Sequence, residues 1–144
     1  MDEPAPQPRV QYGTDLSDLT EDHLQGFFVG WPVPPSPAQH LAVLQGSYRA
    51  VVARTDDGTV VGFVNMISDG VLTAFVPWLE VLPAYQGLGI GTELVRRLLE
   101  DTAHLYSVDL LCDSPLQPFY RRLGFASVPG MGRRNPGANG GVCP

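Results

Sequence analysis

The sequence predicts one α/β (α+β) domain: a mixed sheet of about six strands, an antiparallel N-terminal meander followed by a parallel central pair, flanked by about four helices. Three observations predict it. Residues 48–82 read as β-rich runs separated by the turn signals TDDG (55–58) and SDG (68–70), which is the pattern of an antiparallel meander. After Pro83 the apolar period changes to that of a helix. Another β-rich run, 107–112, follows that helix, and a strand–helix–strand crossover makes it parallel to its predecessor.

Taken in order, residues 10–12 read as a short first strand and 21–28 as a helix, with Ser17 or Thr20 to cap it. The four prolines of GWPVPPSP, 30–37, forbid both a helix interior and a central strand. A rigid loop there carries Trp31 and Phe28 to a surface. A second helix spans 38–45, and the meander strands are 48–54, 60–67 and 71–82. Pro77 in the last of these implies a bulge or an irregular strand. On the next helix Ile90, Leu94, Val95, Leu98 and Leu99 share one face, with Glu93, Arg96, Arg97 and Glu100 opposite. Residues 116–123 read as a short helix and 125–128 as a last strand. The proline-rich segment 1–8 and the glycine-rich tail 132–144 read as flexible, which leaves 9–131 as the folded domain.

Composition narrows the chemistry. A chain of 144 residues, 44% hydrophobic and 17% charged, is globular. Its formal charge of −6 argues against a nucleic-acid or anionic-membrane partner. All nine basic residues are arginine, so no P-loop, Schiff-base or general-base lysine exists. Cys112 and Cys143 fit neither a disulfide framework nor a zinc ribbon, and the acidic, proline-rich start lacks the features of a secretory signal. The expected setting is a reducing, cytoplasmic one, without a metal.

The most informative stretch is AYQGLGIGTELV, 84–95. A strand end, a short turn, and Gly87, Gly89 and Gly91 entering a helix gather unpaired backbone N–H groups at the positive end of a helix dipole. That is an anion site suited to phosphate, and side chains there would hold the oxygens away from the amides. A dinucleotide fingerprint is a poor match, because the third glycine position holds Thr92.

The stretch does match Q-x-x-G-x-G through Gln86, Gly89 and Gly91, and CDSPLQPFYRRLGF, 112–125, adds a second block with a tyrosine near the centre of a helix. Together, over about 70–128, they resemble the GNAT superfamily of acetyl-CoA-dependent N-acetyltransferases. The resemblance implies a splayed parallel pair, with pantetheine slotted between WLEVL and VDLLC and its amides bound by backbone near Val81. It implies that Gln86, Gly87, Leu88, Gly89, Ile90, Gly91 and Thr92 hold the pyrophosphate, and that Tyr120 sits beside the thioester sulfur as the proton donor. The other reading of Tyr120 is packing on an amphipathic helix. Two departures stand out. Asp113 occupies a position where many relatives have asparagine, and the family's seventh strand is missing, irregular, or supplied by a second subunit in a homodimer.

Glu80 is the only charged residue in VLTAFVPWLEVL, 71–82. A carboxylate there must be paired, hydrogen-bonded or neutral, so it is either the general base or a ligand of backbone donors where the strands diverge. Asp69 and Asp109 are lesser candidates. His23, His40 and His104 lack metal-like spacing and read as solvated or packed. Cys112 reads as a buried strand cysteine beside the cleft. The acidic balance and the aromatic loop favour a cationic, partly apolar acceptor. The expected function is acetyl transfer to a primary amine of a small molecule. A protein or peptide N-acetyltransferase and a non-catalytic CoA sensor are the alternatives.

Overall fold

The computed structural model describes residues 7–135, 137 and 138, so most of the two segments expected to be flexible, and Cys143, lie outside the described residues. A six-stranded mixed sheet is built from β1 (Val10–Gly13), β2 (Arg49–Thr55), β3 (Val60–Ser68), β4 (Thr73–Phe75), β5 (Leu79–Val81) and β6 (Ser107–Asp109). Among the described residues three α-helices flank it: α1 (Pro37–Gln45), α2 (Ile90–Leu98) and α3 (Gln117–Arg121). β1, β2 and β3 pair antiparallel in order, and the Asp-Gly turn joins β2 to β3.

β3 is buried from Val60 to Met66, the signature of a strand covered on both faces. On one face α2 inserts Ile90, Leu94 and Leu98 against Val51, Ala53, Val61 and Val64. Gly62 permits this approach: a Cβ there would meet Leu94 Cδ1 at 3.1 Å and the Glu80 carbonyl at 3.2 Å. The opposite face packs Leu24, Phe27, Phe28 and Leu44 on Val52 and Phe63. α1 starts on a capping box, in which Gln39 N donates to Ser36 Oγ at 3.1 Å and Ser36 N to Gln39 Oε1 at 2.8 Å, with Pro37 in the first turn.

The expected third meander strand is broken in two around Pro77. β3 pairs antiparallel with both halves, Ile67–Ser68 with β4 and Gly62–Val64 with β5. The crossover through α2 therefore does not return beside β5, the strand that immediately precedes it. β6 lies parallel to β4, the upstream half. The parallel ladder ends where Val76 N donates to Asp109 O at 2.9 Å, and among the described residues no ladder joins β5 to 110–112.

Three further expectations are corrected. The helix expected over 21–28 is a single 3-10 turn, Glu21–Leu24, because the chain turns left-handed at Gly26 (φ 82°) and Phe28 (φ 60°). Residues 107–112 keep strand geometry only to Asp109. Residues 125–128 are not a strand, so β6 is an edge with no outer partner among the described residues.

Candidate active site

α2 begins directly after two left-handed glycines, Gly87 (φ 78°) and Gly89 (φ 83°), with Gly89 as N-cap. A Cβ at either would meet nothing within 4 Å, so the space over these amides is open. Glu93 N–H donates to Gly89 O at 3.1 Å, the first bond of the helical ladder, which leaves the Ile90, Gly91 and Thr92 N–H groups without helical partners. Gly87, Gly89, Ile90, Gly91 and Thr92 line a cavity of about 530 Å³ that continues past Val81 to Phe119 and Tyr120. This cradle, with its helix dipole, fits a phosphate-bearing ligand. Leu88 lies outside the cavity lining.

The cavity runs along the free edge of β5. Trp78 O accepts from Asn65 N and Leu82 N donates to Val61 O, so alternate residues of this stretch bond β3. The backbone N–H and C=O of Leu79 and Val81 therefore point away from β3, into the gap left by β6. Gln86 Nε2 donates to Val81 O at 3.0 Å, bridging the glycine turn to that edge.

A second cavity, about 380 Å³, opens on the α1 face and is lined by Phe28, Trp31, Phe63, Trp78 and Glu80. Leu79, Val81 and Gln86 line both cavities. The two spaces thus approach from opposite faces of the sheet and meet where β5 parts from β6.

Tyr120 reaches the first cavity from α3, half-buried, with its ring edge-on to Phe119 and Phe125 at centroid distances of 4.9 and 5.8 Å. Burial, with a smaller contribution from Cys112, pushes its phenol above the ordinary value, so the hydroxyl keeps its proton at neutral pH. No described group hydrogen-bonds that hydroxyl, which leaves it available to a ligand.

Glu80 reaches the other cavity. Its Oε1 accepts from Phe28 N at 2.7 Å and its Oε2 from Val29 N at 3.3 Å. It thereby holds a phenylalanine in the left-handed region, where only glycine sits without strain. The remaining carboxylates lie apart. Asp69 Oδ1 accepts from Val71, Leu72 and Thr73 N in the turn before β4, and these bonds lower its pKa. Asp109 and Cys112 line a third space, about 460 Å³, along the outer edge of β6, and Asp113 precedes a 3-10 turn, Ser114–Leu116, without a side-chain capping bond. Among the described residues no cluster of His, Cys, Asp and Glu could hold a metal.

Of the three histidines, read from sequence as solvated or packed, His40 is a packed one. It is 1% exposed, packed against Phe27, Phe28 and Phe63 at 4.3 to 5.4 Å, and neither ring nitrogen has a partner among the described residues. Burial drives its pKa down to about 4. The unfolded chain takes up this proton near pH ~6.5 while the native state does so only near 4, so stability falls as pH drops between them. The full loss below pH 4 is on the order of 3 kcal/mol. Urea unfolding of His40→Phe is expected to lack that acid slope, and an unchanged slope would assign it elsewhere.

The chain matches the family described as Acetyltransferase (GNAT) family over residues 16–125. A crystal structure of a candidate acetyltransferase from Deinococcus radiodurans R1 superposes with TM-score 0.87 at 44% identity, covering 94% of each chain. GCN5-related N-acetyltransferase 3, chloroplastic, of Arabidopsis thaliana is 36% identical over 79 residues, 54% of this chain and 33% of that protein. Serotonin N-acetyltransferase 2, chloroplastic, of Oryza sativa subsp. japonica is 35% identical over 79 residues, 54% of this chain and 40% of that protein. The chain thus aligns with well under half the length of these two relatives. The family match over most of the chain, on a sheet that splays above a glycine-capped helix, shows that this protein belongs to the GNAT family of acetyltransferases.

Proposed function

We propose that the protein is an N-acetyltransferase that moves the acetyl group of acetyl-CoA onto the primary amine of a small molecule by direct attack in a ternary complex. The observation that carries this reading is the meeting of two cavities from opposite faces of the sheet at Leu79, Val81 and Gln86. One offers backbone donors to an anion; the other offers aromatic rings and a carboxylate to an amine.

Acetyl-CoA, when bound, supplies the acyl group as an activated thioester. The amides from Gly87 to Thr92 hold its phosphates, and the free edge of β5 at Leu79 and Val81 binds its pantetheine amides as an added strand. Tyr120 gives its phenolic proton to the leaving thiolate. Glu80 takes the proton of the acceptor ammonium, directly or through water. Each of its oxygens keeps a lone pair beyond the backbone N–H it accepts. A space of about 380 Å³ suits a small ligand better than a peptide, and the rice relative is named for a small amine. In this reading the setting is cytoplasmic and the acceptor is soluble.

Thiol release from acetyl-CoA over a panel of amines and peptides tests the proposal. Release with peptides alone would move the acceptor class to proteins, and binding without release under any amine would favour a sensor.

The cofactor half has its own test. Gly91 lies within α2, and a Cβ there would sit 3.6 Å from Phe119 and 3.8 Å from Val81, both lining the cofactor cavity. Gly91→Leu extends into that space from a position where helix propensity rises. Acetyl-CoA is expected to raise the melting temperature of the wild type and to leave that of Gly91→Leu unmoved, with native circular dichroism. An undiminished shift would remove the first turn of α2 from the binding site.

A further inference from the structure

We infer that the acceptor recognised by this site is a monocationic amine with a flat apolar body and no anionic group, an arylalkylamine in chemical class, held by Phe28, Trp31, Trp78 and Glu80. The amine's fate as an acetyl acceptor rests on the function proposed above; its binding does not.

The rings of Phe28, Trp31 and Trp78 form one continuous wall. Their centroids lie 5.3 Å apart for Phe28 and Trp31, 5.3 Å for the two indoles and 5.8 Å for Phe28 and Trp78, all edge to face. Phe28 is buried and braces the other two, while Trp31 and Trp78 are 39% and 38% exposed, so indole surface is open to a ligand. Large aromatic area left in a concave site suits a flat apolar body, and indole faces attract a cation.

The wall is built in place. The left-handed turn at Phe28, pinned by Glu80, sets the Phe28 ring against both indoles, and Trp31 N donates to Phe28 O at 3.2 Å. One carboxylate therefore positions the rings and also stands as the only charged side chain lining the cavity among the described residues. None of the nine arginines lines it, and the chain has no lysine. A carboxylate or phosphate on the acceptor would enter beside Glu80 with no cation to receive it, at a cost that grows as water is excluded. Among the described residues the lining adds only Gln86 and the two indole N–H groups as polar partners, too few for a polyhydroxyl acceptor, whose other hydroxyls would lie unpaired against rings.

The two tryptophans of the chain are Trp31 and Trp78, so its indole emission reports on this cavity alone. The experiment titrates the full chain, without acetyl-CoA, with phenethylamine, phenylalanine, butylamine and glucosamine 6-phosphate while tryptophan emission is recorded. Phenethylamine is expected to perturb the emission and to bind roughly tenfold or more tightly than each of the others. Trp31→Leu is expected to weaken it by about tenfold with an unchanged melting temperature. Equal or tighter binding of phenylalanine or glucosamine 6-phosphate, or phenethylamine binding indifferent to Trp31→Leu, would overturn the inference. Thiol release with the same compounds separates the two claims. Phenethylamine bound, with no thiol released by any of the amines, upholds the pocket and removes the transferase reading. Acetylation of the anionic amines in preference to phenethylamine does the reverse.

Discussion

Tyr120→Phe is expected to lower turnover about 100-fold while leaving acetyl-CoA affinity within a factor of about two, because the change removes one hydroxyl and keeps the ring. The ring's contacts with Phe119 and Phe125 survive the substitution, so packing is retained. Removing a proton donor to the leaving thiolate costs the reaction about 2.7 kcal/mol at that factor. Since burial raises the phenol above its ordinary value, wild-type activity is expected to hold through neutral and mildly alkaline pH without loss of the donor. Steady-state kinetics beside a melting curve decide the matter. Wild-type turnover in Tyr120→Phe would leave the residue as a packing aromatic.

Glu80→Gln is the second large effect, and it acts on two observables. The carboxylate accepts from two neighbouring backbone N–H groups. A glutamine can satisfy Phe28 N through its carbonyl but turns an NH₂ toward Val29 N, donor against donor. The loss expected from unfolding curves is about 1–3 kcal/mol. With the left-handed Phe28 less firmly held, the aromatic wall loosens and KM for the amine rises. If Glu80 also takes the ammonium proton, turnover falls in the variant as well. Lower stability and higher KM with turnover intact would make Glu80 a positioning residue alone. Wild-type stability, KM and turnover together would contradict both roles.

Much of this was legible in the chain because it depends on local rules. The TDDG turn dictates the β2–β3 hairpin, since an Asp-Gly pair suits the positive φ of a tight turn, and Gly58 has φ 87°. The 3.6-residue spacing of Ile90, Leu94 and Leu98 defines which face of α2 is buried, and all three are. Gly87 and Gly89 announce the turn that opens α2, because a left-handed turn before a helix favours glycine. Pro77 announced an irregularity as well, for a residue without an N–H cannot continue a central ladder.

What tertiary structure decided lies in pairings between residues distant in the chain. Both halves of the broken strand offer an edge, β6 takes that of β4 and leaves that of β5 open, and no local pattern encodes the choice. The helix expected over 21–28 stops early because Phe28 takes a left-handed conformation that it would not hold alone, and the atom that holds it belongs to Glu80, 52 residues away. His40 reads from sequence as solvated or packed, and only the closure of Phe27, Phe28 and Phe63 around it selects the second. Local sequence determines which backbone states are cheap. The site was completed by a few long-range contacts whose combined energy selected states that local preference disfavours.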